Sequence, residues 1–452
     1  MALRSRRRAR GDRGRPRRAR RQRDRVGRHP AERRGATLRR ATALLRRRSS
    51  RRSLSGVAID SVTDGRPALA RANQPLGPVA VFGAGNFPFA FSVLGNDTGA
   101  AIAAGCPVLV KAHPAHPLLS AKLVALAQRA LTEAGAPAAT LQLVAGHQAG
   151  VDLVRSDGIT AVAFTGSQAG GLALWRAANE REVVIPVYAE MGTVNPVVVT
   201  PGGATRIEAI AAGFVGSYTL GSGQFCTKPG LLFAPAGSNA AAEVAKALRA
   251  ASPSAHMLTE TIARSARAGL VRLENAGATV VDVVDGPAIG WSAPAAVLEA
   301  PINALRKGSE LLEECFGPVA LVVEYADHTE LARAVTQMQG SLAASVMTTG
   351  DSSDPDAGAV ITLLAPKVGR IAVDDWPTGV ALTWAQQHGG PWPATSAPWA
   401  TSVGAGALDR FVRPVAYQSA PSDLLPPSLR AENPWQLPRR IDGVLVLPEG
   451  TL

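Results

Sequence analysis

Short apolar runs that alternate with amphipathic stretches dominate the chain from residue 57 onwards. The runs predict buried strands at residues 78–83, 107–111, 141–144, 161–165 and 183–188. Between them, apolar residues recur at helical spacing, as in residues 119–131, where Gly135 ends the helix. This alternation predicts a parallel sheet covered by helices on both faces, with ligands at the carboxyl ends of its strands.

A second α/β unit is predicted downstream of the first. It contains an amphipathic helix at Ile207–Tyr218 and strands at 319–323 and 370–373. The tail is rich in Pro, Trp and Arg, which predicts irregular structure apart from a strand at 443–447. The predicted division is an arm (1–56), a first unit (57–190), a second unit (191–414) and a tail (415–452).

Charge separates the arm from the rest of the chain. The 452 residues carry a formal net charge of +13, but residues 1–56 hold 23 arginines and three acidic residues. The other 396 residues carry 25 basic and 32 acidic side chains, so the body is mildly acidic. The arm is open to three interpretations: electrostatic binding to nucleic acid or an acidic surface, a targeting peptide, or sequence translated out of register or from a misplaced start. Its low apolar content predicts disorder in each case, and nucleic acid is not an expected partner.

Cysteine content and hydropathy bear on the compartment. Three cysteines in so long a chain do not form a disulfide framework and fit a reducing compartment, so we expect a cytoplasmic protein. The longest apolar run, residues 100–110, is too short for a transmembrane span, and no membrane association is expected.

A thiol and a carboxylate suggest the chemistry. Cys226 lies in a glycine-flanked loop, GQFCTKPG, and Glu190 ends an apolar strand, where an unpaired carboxylate is costly unless it has a task. A thiolate that attacks a carbonyl and a carboxylate that activates water are the minimum equipment for oxidising an aldehyde through a thioester. The alternative for a cysteine is core packing, which we assign to Cys106 and Cys315.

Six motifs extend this interpretation along the chain. They are residues 83–92 (GAGNFPFAFS), 110–117 (VKAHPAHP), 164–167 (FTGS), 223–230, 313–318 (EECFGP) and 387–391 (QHGGP). In their order and spacing, the chain from about Ile59 to Leu447 resembles the NAD(P)-dependent aldehyde dehydrogenases. The nearest branch contains α-ketoglutaric semialdehyde dehydrogenases and NADP-linked fatty aldehyde dehydrogenases.

The resemblance implies an α/β fold with two domains. A Rossmann-type parallel-sheet cofactor domain would be followed by an α/β catalytic domain, and an oligomerisation hairpin near residues 58–71 would help to form a homodimer or homotetramer. Members of the family begin with helical sequence where this chain has its Arg-rich arm. The second hypothesis is therefore an inactive, N-terminally truncated protein that only binds cofactor or partners.

The resemblance also assigns catalytic roles. Cys226 would be the nucleophile, with its pKa lowered by backbone N–H groups and the positive cofactor ring. Asn86 and the N–H of Cys226 would hold the oxyanion, and Glu190 would activate water to release a free acid. The alternatives are that Asn86 only shapes a turn and that Glu190 is an ordinary strand-end residue. His388 would relay protons or bind substrate, unless it is a structural histidine; no metal site is expected.

The cofactor is NADP or NAD by the same resemblance. The residues expected to bind it are Lys111, Gly166, Ser167, Gly192, Glu314 and Phe316. Gly166 and Ser167 would place the pyrophosphate at a helix N-terminus, and Lys111 would reach the adenosine ribose. Pro114 stands where NAD-preferring relatives place a glutamate that repels a 2′-phosphate, which favours NADP. His147 replaces an arginine of the branch, which argues the other way. The expected substrate is α-ketoglutaric semialdehyde or another short semialdehyde.

Overall fold

The structure, a computed structural model, describes residues 56–351 and 353–448. Apart from Gly56, the predicted arm lies outside the described residues, so the expectations for it are not addressed. Within the described part of the chain, no helix has both the length and the apolar content needed to cross a bilayer.

A five-stranded parallel sheet, in the order β5-β4-β3-β6-β7, forms the first unit. Its strands are β3 (Val79–Phe82), β4 (Val108–Lys111), β5 (Leu141–Val144), β6 (Ala161–Gly166) and β7 (Val187–Met191). Helices α1 (Asn96–Ala103) and α2 (Pro117–Glu133) cover one face, and α3 (His147–Arg155) and α4 (Gln168–Asn179) cover the other. The strand order reverses between β3 and β6, so a ligand crevice is expected beyond their carboxyl ends.

A seven-stranded sheet, in the order β10-β11-β12-β9-β8-β13-β14, forms the second unit. Its strands are β8 (Asn195–Val199), β9 (Pro229–Pro235), β10 (Thr279–Val284), β11 (Ala295–Glu299), β12 (Val319–Tyr325), β13 (Ser341–Met347) and β14 (Val368–Val373). All neighbours are parallel except the pair β10 and β11. Its two faces are covered by α5 (Ile207–Tyr218) with α6 (Ala240–Ala251), and by α7 (Glu260–Asn275), α8 (His328–Gln337) and α9 (Ala357–Leu364). The α/β architecture predicted from the sequence is confirmed.

A third sheet joins the two ends of the described chain. The predicted hairpin is formed by β1 (Ala58–Asp60) and β2 (Leu69–Pro75), which pair antiparallel. The tail supplies the strands on both sides, β15 (Val412–Gln418) on β2 and β16 (Arg439–Ile441) on β1, with β17 (Val444–Val446) beyond. The prediction of an irregular tail was therefore wrong for β15 and β16, because the open hairpin edges pair with it. The division predicted at 414/415 falls inside β15.

One strand of the first unit was predicted in the wrong place. Residues 183–188 were expected to be a strand, but β7 begins at Val187, and Val183 and Val184 are 70% and 57% exposed. The guanidinium of Arg181 donates to three backbone carbonyls of residues 154–159, which holds this segment in a bend instead. By contrast, the helix at Ile207–Tyr218 and the strand at Leu141–Val144 are confirmed at their predicted bounds.

Candidate active site

The loop that carries Cys226 follows a strained turn at Leu220–Gly223. Ser222 has a φ of +60°, although it is not a glycine, and Gly223 has a φ of +69°. A Cβ at residue 223 would lie 2.2 Å from the carbonyl carbon of Gly317, so no other residue fits there. The turn therefore needs its glycines, and it delivers Cys226 at the start of β9.

A buried amide fixes the backbone on both sides of the thiol. The Nδ2 of Asn195 donates to the carbonyls of Cys226 (2.9 Å) and Lys228 (3.0 Å), and its Oδ1 accepts the N–H of Ala343 (3.0 Å). Gln224 adds hydrogen bonds to two further carbonyls. These bonds connect the loop to β8 and β13, so the position of Cys226 is set by the sheet of the second unit.

Three reactive groups from distant parts of the chain converge at the thiol. The Nε2 of His388 lies 3.7 Å from the Sγ of Cys226 and 3.0 Å from the Oε1 of Glu190. A sulfur, a ring nitrogen and a carboxylate oxygen of the three residues all lie within 4.8 Å of one another. Glu190 and His388 are 3% and 1% exposed, so the carboxylate and the imidazole are shielded from bulk water.

The segment that carries His388 is held against the first unit. Residues 394–396 run along the free edge of β7, where Met191 donates its N–H to Ala394 (2.9 Å) and Ser396 donates to Ala189 (3.1 Å). Glu190 lies between these contacts on β7. The edge pairing therefore brings the carboxylate of one sheet to the histidine of a loop in the second unit.

A second set of buried polar groups supports Glu190. The hydroxyl of Ser402 donates to its Oε2 at 2.6 Å and also lies 3.2 Å from the carbonyl oxygen of His388. Beyond it, Arg410 forms a buried ion pair with Asp97 at 2.8 Å, and burial raises the pKa of Asp97. Buried charges are costly unless they are paired. The carboxylate of Asp97 and the guanidinium of Arg410 therefore compensate each other's charge in a place that solvent does not reach.

The surroundings raise the pKa of the Cys226 thiol and lower the pKa of the Glu190 carboxylate. Burial, followed by the negative charge of Glu190, raises the pKa of Cys226 well above that of an ordinary thiol. Burial also raises the pKa of Glu190, but the electrostatic effect of the neighbouring His388 imidazole and the hydrogen bond from Ser402 outweigh it, so the net pKa is lowered. In the protein alone, the backbone N–H groups expected to lower the pKa of Cys226 do not offset burial and the negative charge of Glu190. The lowering expected from the positive cofactor ring stays a prediction.

Asn86 reaches the same loop from the first unit. Its Nδ2 donates to the carbonyl of Gln224 at 2.9 Å, two residues before Cys226. Beside it, the ring of Phe87 packs edge-on against Phe225 (4.9 Å between centroids) and Phe91 (5.7 Å). The polar groups therefore face an aromatic wall, which suits the apolar part of a small substrate.

Most of the residues expected to bind cofactor meet at the carboxyl ends of β4, β6 and β7. Gly166 ends β6, and Ser167 caps α4 by accepting the N–H of Gly170 at 3.2 Å. Gly192 donates its N–H to the carbonyl of Gly166 at 3.1 Å. A Cβ on Gly192 would lie 2.0 Å from the carboxylate of Glu314, so the absence of a side chain is what lets that carboxylate approach.

Burial shifts the pKa values of the charged residues in this group. It raises the pKa of Glu314 to about 7, an effect that the buried ammonium of Lys228 opposes. It also lowers the pKa of Lys111, which is half-buried at the end of β4. Burial, with His116 and Lys111 nearby, lowers the pKa of His113 to about 4, so His113 is neutral at pH 7. Phe316 is half-buried two residues beyond Glu314.

Comparison with known proteins identifies the family. A family model described as "Aldehyde dehydrogenase family" matches residues 49–390. The chain belongs to the aldehyde dehydrogenase family. It is 44% identical over 398 residues to alpha-ketoglutaric semialdehyde dehydrogenase 2 of Azospirillum brasilense, which covers 85% of this chain and 75% of that protein. It is 40% identical over 403 residues to the alpha-ketoglutaric semialdehyde dehydrogenase of Acinetobacter baylyi, with 86% and 76% covered.

Solved structures of two other proteins share the fold. Bifunctional proline utilization A superposes with a TM-score of 0.71 at 25% identity, over 84% of this chain and 38% of that longer protein. A 3,6-anhydro-L-galactose dehydrogenase in complex with NAP superposes with a TM-score of 0.68 at 20% identity, over 87% and 88%. The two-unit architecture is thus shared by proteins of low sequence identity.

The structure brings together Cys226, Glu190 and His388 and places Asn86 against the same loop. Sequence reasoning assigned no role to Asn195 or Ser402, although both contact this group. Asn195 opens a strand whose other residues are apolar, and a fully buried amide needs partners. That signal was available in the sequence, whereas nothing local marks Ser402.

Proposed function

We propose that this protein oxidises an aldehyde to its carboxylic acid with NAD(P)+ through a thioester on Cys226. The observation that carries the proposal is the convergence of Cys226, His388 and Glu190, whose reactive atoms lie within 4.8 Å of one another. Relatives at 44% and 40% identity are named alpha-ketoglutaric semialdehyde dehydrogenases. We therefore propose α-ketoglutaric semialdehyde as the substrate, with another short semialdehyde as the second choice.

The first step joins the sulfur of Cys226 to the aldehyde carbon. The thiol must lose its proton, and the Nε2 of His388 at 3.7 Å is positioned to accept it. The amide of Asn86 and the N–H of Cys226 would bind the oxyanion of the resulting hemithioacetal. One such donor lowers the barrier by about 3 kcal/mol.

The second step releases the acid. A nicotinamide held by Glu314 and Phe316 would supply the acceptor for the hydride of the hemithioacetal carbon, and loss of that hydride would leave a thioester on Cys226. Glu190 would remove a proton from water, which attacks the thioester, and Ser402 holds the carboxylate in place. A base at this position favours hydrolysis to a free acid over transfer to another thiol.

The residues at the strand ends fit a dinucleotide. The N-terminus of α4 offers N–H groups to phosphates, Lys111 offers an ammonium group to the adenosine ribose, and Glu314 offers acceptors to ribose hydroxyls beside the side-chain-free Gly192. Phe316 would pack on the ring. Pro114 presents no carboxylate to repel a 2′-phosphate, while neutral His113 adds no positive charge to attract one. We therefore propose that both NADP and NAD are accepted.

A direct assay tests the function. The full chain is incubated with NAD+ or NADP+ and a panel of semialdehydes, and formation of the reduced cofactor is followed by absorbance. Wild type and Cys106→Ala, which alters a buried thiol remote from the site, are expected to turn over, and Cys226→Ala is expected to be inert. Equal rates for wild type and Cys226→Ala would refute the proposal.

The role of Glu190 has its own readout. In Glu190→Gln, an acyl group should accumulate on Cys226 and be visible as added mass in intact-protein mass spectrometry. Rapid release of the acid by this variant would contradict the assignment.

Assembly and location complete the proposal. We expect a homodimer or homotetramer, because the β1–β2 hairpin matches the element that the family uses for oligomerisation. All three cysteines are free, which supports our expectation of a reducing, cytoplasmic compartment.

A further inference from the structure

The reactive group at the thiol combines three kinds of metal ligand. A cysteine sulfur, an imidazole nitrogen and a carboxylate oxygen are the donors that bind Zn²⁺ in proteins. Here the carboxylate comes from β7, the sulfur from the loop before β9, and the imidazole from the segment that pairs with the β7 edge. Their donor atoms lie within 4.8 Å of one another. Glu190 and His388 are buried and Cys226 is half-buried, so the three donors meet in a largely enclosed site.

Two of the three interatomic distances are close to those of a tetrahedral site. With Zn–S bonds of about 2.3 Å and Zn–N or Zn–O bonds of about 2.0 Å, tetrahedral angles separate sulfur from nitrogen by about 3.6 Å and nitrogen from oxygen by about 3.3 Å. The observed distances are 3.7 Å from Cys226 to His388 and 3.0 Å from His388 to Glu190. The sulfur of Cys226 and the carboxylate oxygen of Glu190 lie within 4.8 Å of each other, so these two atoms would have to approach to about 3.5 Å to complete the coordination.

The carboxylate keeps one oxygen free for such an ion. Ser402 donates to Oε2 of Glu190, whereas the buried Oε1 has no hydrogen-bond partner despite lying 3.0 Å from the Nε2 of His388. The oxygen and the nitrogen are therefore close without being aligned for a hydrogen bond. Such an arrangement suits two lone pairs that point at a common cation.

Charge also favours a divalent ion. A thiolate and a carboxylate together balance the two positive charges of Zn²⁺, and the neutral imidazole adds none, so the buried group becomes neutral overall. Binding releases the proton of the thiol. The three protein ligands leave a fourth position open for water, as in other zinc sites with three protein ligands.

We propose that Cys226, His388 and Glu190 form a binding site for Zn²⁺ that reversibly blocks aldehyde oxidation. The block rests on the proposed function, because the ion occupies the nucleophile and the base. Binding itself does not depend on that function.

The test uses the metal alone as its probe. Full-length protein freed of metal with a chelator is titrated with Zn²⁺ by calorimetry, and with Co²⁺ while the thiolate-to-cobalt charge-transfer absorption is recorded. We expect one ion per chain. His388→Gln should weaken binding by at least about tenfold, because changes in outer partners alone cost about 10- to 100-fold. Cys226→Ser should abolish the charge-transfer band, and Cys106→Ala should match wild type.

Activity measurements separate the two proposals. Zn²⁺ should inhibit formation of reduced cofactor, and a chelator should restore the rate. Absence of the charge-transfer band, or Zn²⁺ affinity unchanged in His388→Gln with the variant shown to be folded by its thermal melting, would overturn the metal site. If no aldehyde is oxidised but the metal binds as described, the proposed function fails and the metal site stands.

Discussion

Ser402→Ala tests whether a single hydroxyl sets the acidity of the proposed base. The Oγ of Ser402 lies 2.6 Å from Oε2 of Glu190, and both residues are buried, at 7% and 3% exposure. A hydrogen bond to a charged group contributes about 1.5–3 kcal/mol. Since one pKa unit corresponds to about 1.4 kcal/mol, removing the hydroxyl should raise the pKa of Glu190 by about 1–2 units.

The sign follows from which form the hydroxyl stabilises. Ser402 donates to the ionised carboxylate and so lowers its pKa, opposing the effect of burial. Without it, the carboxylate takes up a proton at higher pH and cannot accept one from water. The acid limb of the kcat profile should therefore move to higher pH by about 1–2 units, wherever thioester hydrolysis limits turnover.

Ser396→Ala provides the matched control. Ser396 accepts the N–H of Ala189 at 2.8 Å and contacts the carbonyl of Val187, so it touches β7 but not the carboxylate. Its loss should lower the free energy of unfolding by about 1 kcal/mol and leave the acid limb in place. An unmoved limb in Ser402→Ala, or equal movement in both variants, would refute the reasoning.

Three further predictions concern the thiol and its loop. Asn195→Ala should lower the free energy of unfolding by about 2–4 kcal/mol in urea titration, because two carbonyls and one N–H lose their partner; a loss below about 1 kcal/mol would contradict this. Gly223→Ala should abolish activity, because the added Cβ would collide with the backbone of Gly317. Gly237 has a similar φ of +79° and open space around it, so Gly237→Ala should retain activity. Comparable rates for the two variants would count against the strained turn. Alkylation of Cys226 without cofactor should still accelerate above about pH 9 because its pKa is raised, and a plateau reached below pH 8 would show that the thiolate forms unaided.

Much of the site was predictable because its residues occupy recognisable local patterns. Cys226 is flanked by glycines that the turn requires, and Glu190 interrupts an apolar strand. The strand at Leu141–Val144 was predicted correctly because the turn signals on either side leave room for four residues, enough for a short strand but not for a helix. Where the residues that determine a local structure are adjacent in the sequence, the predicted and the observed structures agree.

Other parts depend on contacts between distant residues. Ser402 lies 212 positions from the carboxylate that it contacts, in a loop without periodicity. The bend at residues 181–183 is fixed by Arg181 through carbonyls of residues 154–159, a contact that apolar composition does not reveal, so the composition predicted a strand from residue 183. The raised pKa of Cys226 also depends on the tertiary structure, because it follows first from burial of the thiol and then from the nearby carboxylate of Glu190.

The opposed pKa shifts determine where the proton resides before substrate arrives. With the pKa of Cys226 raised and that of Glu190 lowered, the resting pair at neutral pH is a thiol beside a carboxylate. Thiols react with oxidants mainly as thiolates, so this arrangement protects the sulfur in the absence of substrate. A positive charge placed beside the sulfur would lower its pKa, because an opposite charge favours the ionised form. A positive cofactor ring beside the sulfur would therefore favour transfer of the thiol proton to His388, whereas a metal ion held by the same three residues would occupy the sulfur and prevent its attack.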